Sequence, residues 1–353
     1  MKKVVISTFN NSKSNYGAVF QACALSAFLR KMGYDAYNVT VLDRGAKKRS
    51  KSLAMKVLIK KLLSAGRKRF SEERVEKFRK FTAQTQQQIV FRNKKELYEN
   101  SPEADVYISG SDQVWNPTHI HEDFFLSYVS GDAKKISYAA SMGNEKIPPQ
   151  NEEKFAGYIS EFDAVSVRED TMIDIISKYT DKPVKQNIDP VFLLSKEEWL
   201  ELASPYERLK FKDYILVYAI NWNAEYNNKL KDLKRRLGLP VVSVCIGNMK
   251  KICADQVIYN ASPSEFLHLL NGASAVVATS FHGTALSLVF NKPFMCFSGK
   301  DKPTRIESLL RHFGIENDFS VESINEKVDY CKVNEIISQD REISREYLTG
   351  AIG

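Results

Sequence analysis

AVVATSFHGTALSLVFNKPFMCF, Ala275–Phe297, holds the fold in miniature. Ala275–Thr279 is an apolar run of strand length, a helix follows over about Gly283–Phe290, and Pro293–Phe297 is a second apolar strand. Strand, helix and strand with almost no polar alternation imply a parallel unit buried on both faces. The pattern extends toward the N-terminus. Tyr214–Ile220 is a strand, a charged helix occupies about Asn223–Leu237, and Gly238-Leu239-Pro240 turns the chain into the strand Val241–Ile246. After the short strand Gln256–Tyr259, Ser262-Pro263-Ser264-Glu265 is a strong helix start, with a capping hydroxyl, a proline in the first turn and an acid at the third position. Together these segments make a complete doubly wound unit.

The first half repeats the alternation. Lys3–Thr8 is a strand, a helix runs from about Gly17 to Met32 and stops at Gly33, and Ala36–Leu42 is the next strand. Asp105–Ser109, Lys135–Ala140 and Ala164–Val167 are further strands, with Phe155–Phe162 helical and another helix beginning near Arg168. The expected class is α/β, two Rossmann-like domains facing a cleft. The chain has 353 residues, more than the ~250–300 at which one core stops growing. The boundary is expected near 185–200, giving an N-terminal domain over 1–188, a C-terminal domain over 189–330 and a helical tail over 331–353 that packs back.

Hydrophobic residues are 43% and charged residues 27%, which excludes a largely disordered or fibrous chain. The longest clean apolar runs cover about seven residues, against the roughly 20 of a membrane helix, and the start MKKVVISTFN lacks a secretory apolar stretch. Five cysteines without a CxxC point to reduced thiols, mostly buried, and to neither a zinc site nor a disulfide framework. The expectation is a soluble cytoplasmic protein.

The net charge of +8 is concentrated between Arg44 and Lys80, where 15 Lys and Arg stand against three acids. Leu53, Val57, Leu58, Leu62 and Leu63 fall near helical spacing there, with lysines between them. This basic helical insertion over 44–80 has two readings, a solvated helix packing its leucines on its own domain, or peripheral contact with an anionic membrane face or glycan. Few aromatics interleave with the charges, so no nucleic-acid partner is expected.

Ligands of such domains bind beyond the carboxyl ends of the strands, in the cleft. Four loops lie there. Asn11, Ser12, Ser14 and Asn15 precede a helix start with Tyr16, Gly17 and Ala18, which reads first as an ordinary capped start and otherwise as a place where free backbone N–H groups favour an anion. Ile108–Pro117 supplies Ser111, Asp112, Trp115 and Asn116, a hydroxyl, a carboxylate, an apolar plate and an amide suited to a sugar ring, although Trp115 fits core filling equally well. Arg168, at a strand end, suits phosphate or carboxylate, or a salt bridge to Glu169 or Asp170. His282, within Ser280-Phe281-His282-Gly283-Thr284, is presented at a helix N-terminus and is a candidate general acid or base. Of the other histidines, His119 and His121 lie in a polar loop, and His268 and His312 in helical contexts.

At these residues the chain resembles the polysaccharide pyruvyl transferase family. The matching stretches, in order, are NYGAVFQACALSAFL, ISGSDQVWNP, SYAASMG, VSVREDTM, DPVFLL, SFHGTALSLVFNKPF and TRIESLLRHFGI, from about residue 15 to 315. The resemblance implies a GT-B-like fold and transfer of the enolpyruvyl carbons of phosphoenolpyruvate onto two hydroxyls of one sugar, in a cell-surface polysaccharide or its lipid-linked precursor. It makes His282 the acid and implies a donor site with Arg168, Arg305, Ser280, Gly283 and Thr284. Asn15, Tyr16, Ser111, Asp112, Trp115 and Asn116 are the acceptor candidates. Neither a metal nor a cofactor is expected. Ser280 departs from the pattern, standing where family members often carry an arginine. The alternatives are a GT-B nucleotide-sugar glycosyltransferase and a non-catalytic glycan-binding relative.

Overall fold

A computed structural model describes residues 1–44, 65–245, 252–297, 304–316, 324 and 328–353. The expected leucine-bearing stretch from Leu53 to Leu63 lies outside the described residues.

Two parallel sheets organise the chain. The first contains β1 (Lys3–Ser7), β2 (Asp35–Asp43), β3 (Gln88–Asn93), β4 (Val106–Ser109) and β5 (Lys134–Ser137), in the order β3-β2-β1-β4-β5. The short parallel pair β6 (Val165–Val167) and β7 (Val184–Gln186) extends it through the bridges Ile136–Ala164 and Ala140–Val167. The second contains β8 (Ile215–Ala219), β9 (Val241–Cys245), β10 (Gln256–Ile258), β11 (Ala275–Ala278) and β12 (Phe294–Cys296), in the order β10-β9-β8-β11-β12. Both orders reverse direction beside the first strand of the unit, between β1 and β4 and between β8 and β11. Loops leaving such neighbours diverge to opposite faces and open a crevice, the usual place for a ligand in this architecture. The expected strands therefore form, and their completely buried runs, such as β8 and β11, explain the absence of polar alternation.

Several of the described helices join the two halves. The helix Ala65–Thr85 buries Phe78 and Phe81 and pairs Lys77 with Glu265 on the helix Pro263–Gly272. This described part of the basic insertion is packed on the protein itself. The helix Tyr16–Lys31 stacks Tyr16 on Phe266, with ring centres 4.6 Å apart. The C-terminal helix Tyr330–Ile352 returns to the first sheet, where Tyr347 donates to the Ser137 carbonyl at 2.8 Å and Arg341 donates to the Phe192 and Leu194 carbonyls. One hydrophobic core runs through all of these contacts, from Val4 and Ile108 to Leu216 and Val276. Among the described residues no helix is long and apolar enough to cross a membrane.

Candidate active site

The helix after β11 starts at Phe281, two residues earlier than expected, with Ser280 as its cap. Ser280 Oγ accepts from the Gly283 amide at 3.1 Å, and Thr284 Oγ1 donates back to the Ser280 carbonyl at 3.2 Å. A side chain on Gly283 would meet Tyr218 and Ala278 within 3 Å. Ser280, Gly283 and Thr284 thus build the turn that presents His282. None of the three lines either of the two cavities described below.

His282 is buried, and its Nε2 lies 3.4 Å from Asp189 Oδ2 without hydrogen-bond alignment. Asp189 ends the segment after β7 and caps the short turn Pro190–Phe192 through Oδ1, which accepts from the Val191 amide at 3.1 Å. Its Oδ2 accepts from Arg168 Nη1 at 2.8 Å and from Ser111 Oγ at 3.2 Å. Burial alone would raise this carboxyl, but the His282 imidazole and the Arg168 guanidinium outweigh it and hold Asp189 well below the ordinary carboxylate range.

Arg168 sits where expected, just after β6, but in a bend, and helical structure begins only at Asp170, as a 3₁₀ turn that runs into the short α-helix Ile173–Ile176. Its Nε donates to Glu169 Oε1 at 2.9 Å, and its guanidinium lies 3.9 Å over the Phe281 ring. Burial opposes its charge, but Glu169 and Asp189 more than restore it, and the pKa rises above the usual arginine value. Of the two readings of Arg168, the salt bridge to Glu169 forms, with Asp189 rather than Asp170 as the second partner. Arg168 is already matched by two carboxylates and is not a free clamp.

Arg305 comes from the helix Thr304–His312 and closes a cavity of about 240 Å³ with Arg168, Glu169, Asp189 and Phe281. Burial and the neighbouring Arg168 charge lower its pKa. The same helix is tied to the first domain by Ser308 and Arg311, which donate to Asp170 at 2.7 and 3.0 Å, and to the C-terminal helix by His312–Asp340 at 2.6 Å. Among the described residues, Arg168 Nη2, Glu169 Oε2, His282 Nε2 and Arg305 Nε are buried without a hydrogen-bond partner, although Arg168 Nη2 lies 2.9 Å from Glu169 as an ion pair. Buried polar atoms are nearly always partnered, so Glu169 Oε2, His282 Nε2 and Arg305 Nε are left with hydrogen-bonding capacity at this place.

A second cavity of about 500 Å³ opens between the loops after β1 and β4, and Asn15, Asp112 and Asn116 line it with Lys13, Arg44 and His119. Asp112 holds a left-handed backbone, φ 69°, of the kind found at strained functional turns. The other acceptor candidates do not face this space. Ser111 is buried behind it on Asp189, and Tyr16 is buried with its hydroxyl on the Ala261 carbonyl. Trp115 is wholly buried against Phe125 and Phe162. It is core filling and offers no plate to a sugar.

His282 lines neither cavity. Its Nε2 edge meets Asp189 of the smaller one, and its Nδ1 edge meets Gly17, the neighbour of Ala18 on the wall of the larger one. Asp189, Glu169, His312 and Asp340 were not expected at the site. Asp189 obeys the strand-end rule that singled out Arg168, whereas nothing in the sequence pairs His312 with Asp340, 28 residues away. Among the described residues no group of three or more metal-ligating side chains converges.

A family model described as polysaccharide pyruvyl transferase matches residues 15–301. No curated protein matches the chain. Among solved structures, UDP-N-acetylglucosamine 2-epimerase from Rickettsia bellii superposes with a TM-score of 0.52 at 12% identity, covering 99% of this chain and 97% of that one. The corresponding epimerase from Methanocaldococcus jannaschii gives 0.51 at 10% identity, with 95% and 91% covered. An alpha-glucosyltransferase in complex with UDP and a 13-mer DNA gives 0.51 at 9% identity, with 98% and 95% covered. What this chain shares with them is the fold, GT-B with two facing Rossmann-like domains.

Proposed function

The chain belongs to the polysaccharide pyruvyl transferase family, and from that premise we propose that it moves the enolpyruvyl carbons of phosphoenolpyruvate onto two hydroxyls of one sugar, leaving a cyclic pyruvate ketal and free phosphate. Membership makes it a transferase of polysaccharide biosynthesis. The donor, the ketal and the assignment of residues are the proposal.

The observation that supports it best is the group of partnerless buried atoms around Asp189, which lines the smaller cavity and faces His282 at 3.4 Å. Phosphoenolpyruvate fits the smaller one, where Arg305 Nε is free to donate to an anion and Arg168 is fixed as the second positive wall. The acceptor sugar, on a polysaccharide or lipid-linked precursor, fits the larger, amide-lined one at Asn15, Asp112 and Asn116. His282 protonates the methylene carbon, and the cation formed at the central carbon takes up one sugar hydroxyl, which loses its proton. Phosphate then leaves, and the second hydroxyl adds to the same carbon with loss of its proton. One released proton restores the imidazolium and the other leaves with the phosphate or the solvent. The buried Asp189 carboxylate, kept ionised, stabilises the imidazolium. No metal and no cofactor enter this scheme.

The test is incubation with phosphoenolpyruvate and a panel of glycans and lipid-linked oligosaccharides, following released phosphate and the mass of the acceptor. The expected result is equal yields of phosphate and pyruvylated glycan, lost in His282→Ala. Donor left intact with every acceptor by the folded protein would overturn the proposal.

A further inference from the structure

The smaller cavity has a wall that neither the fold nor the family membership explains. Arg305, Ser308, Leu309 and His312 follow one another at intervals of three, one and three residues, so they lie on one face of their helix, and all four line the cavity. His312 Nε2 is 2.6 Å from Asp340 Oδ2, and Asp340 lines the cavity too, projecting from the C-terminal helix. Resting on the reading of this cavity as the donor site, we propose that His312, held by Asp340, is a proton-dependent cation of the anion site and that its charge sets the affinity for a small phosphorylated acid.

The charges around the cavity carry the argument. Two guanidinium groups, Arg168 and Arg305, face three carboxylates, Glu169, Asp189 and Asp340. With a neutral His312 the wall is therefore negative by one charge, and an anion entering it is repelled. An imidazolium removes that excess. Arg168 cannot help further, being matched by Glu169 and Asp189, so the adjustable charges are Arg305 and His312. The groups packed against His312 favour its charged form. Asp340 bonds it from the C-terminal helix, and Asp170 adds a second negative field from the other domain, although Ser308 and Arg311 hold that carboxylate. Phe313 lies edge-on at 5.1 Å and adds no charge. The Asp340 bond outweighs burial, and the His312 pKa is raised from its ordinary value. With Nε2 taken by Asp340, Nδ1 is the nitrogen left to donate to a ligand oxygen.

This arrangement also links the anion site to the C-terminal helix, which anchors on the first domain through Tyr347 and Arg341. The donor site is then assembled by three parts of the chain, the strand ends of the first domain, the Thr304–His312 helix and the returning C-terminal helix.

Calorimetric titration of the full-length protein with phosphoenolpyruvate, and separately with sulfate, tests this between about pH 5.5 and about pH 8.5. Sulfate stays a dianion throughout that range, so a trend with sulfate belongs to the protein. The wild type is expected to bind sulfate about five- to tenfold more weakly at the alkaline end. His312→Gln should bind weakly at every pH, and His312→Lys tightly at every pH, since lysine stays charged throughout. Asp340→Asn should move the transition to lower pH. Thermal unfolding of each variant confirms that folded protein is compared. A wild-type affinity independent of pH, or a His312→Gln variant with the wild-type profile, overturns the inference while leaving phosphoenolpyruvate as donor. Sulfate binding with the expected dependence but no uptake of phosphoenolpyruvate supports the His312 site and overturns the donor reading. Uptake of neither anion overturns both.

Discussion

Gly17 and His282 occupy space that only a glycine leaves free, since a Cβ at position 17 would lie 2.7 Å from His282 Cβ and closer still to the imidazole ring. Residue 17 lies in the first turn of the helix after β1, and His282 in the first turn of the helix after β11, so the two domains meet through this pair. The imidazole is positioned by the absence of a side chain on the opposite domain. Gly17→Ala should gain up to about 1 kcal/mol of helix propensity and lose about 1–3 kcal/mol to overpacking, so the melting temperature moves little. Phosphate release from phosphoenolpyruvate should nevertheless fall tenfold or more, by on the order of 1.4 kcal/mol in barrier. Full activity in this variant would mean that the ring does not work from its observed place.

Asp189 separates orientation from folding. Asp189→Asn keeps the shape and the acceptor for the Val191 amide while removing the charge facing His282. Turnover is expected to fall by on the order of 10²-fold while KM does not rise, because the loss is in proton transfer and the cavity wall gives up one negative charge. Asp189→Ala loses the cap as well, which adds about 1 kcal/mol of instability. Equal turnover in Asp189→Asn and wild type, read from steady-state phosphate release, would remove Asp189 from the mechanism.

The two arginine–carboxylate pairs at the cleft differ in kind. Arg168 and Asp189 have side chains 2% and 0% exposed, whereas those of Arg311 and Asp170 are 58% and 38% exposed. Arg168→Ala leaves two buried carboxylates without their cation and should cost about 3–5 kcal/mol in urea unfolding. Arg311→Ala breaks a solvent-screened pair and should cost under about 1 kcal/mol. A large loss for Arg311→Ala would show that the bridge to Asp170 is what holds the domains together.

Much of this fold is legible along the chain because parallel strands buried on both faces write themselves as short apolar runs, as Tyr214–Ile220 and Ala275–Thr279 do. β3 escapes that reading. Its residues Gln88–Asn93 are half exposed at a sheet edge, so it lacks the continuous apolar signature. The strand-end rule found Arg168, Asp112 and His282, since position along a strand is a local property. Burial is not local. Trp115 has the chemistry of a sugar platform and the environment of a core residue, and only the packing of Phe125 and Phe162 around it decides between them. His312 was invisible for the opposite reason, because its partner Asp340 arrives on a helix that crosses back from the end of the chain.

The pH dependence of stability follows from two opposed shifts. Asp189 is depressed, so its contribution is present above the unfolded carboxylate value of about 3.9 and is lost only as pH falls through its lower folded value. His312 is raised by Asp340, so its contribution is complete below the unfolded imidazole value of about 6.5 and is lost as pH rises through its higher folded value. Both are present between about pH 5 and about pH 6.5, and the urea midpoint should be highest there. Above that window the wild type should lose up to about 2 kcal/mol, the worth of one charge-assisted hydrogen bond. Asp340→Asn keeps an acceptor but has already given up the charge that strengthens that bond, so its midpoint should start lower and decline less over the same alkaline range. An equal alkaline decline in both proteins would place the titrating group elsewhere and leave the His312–Asp340 contact without an energetic role.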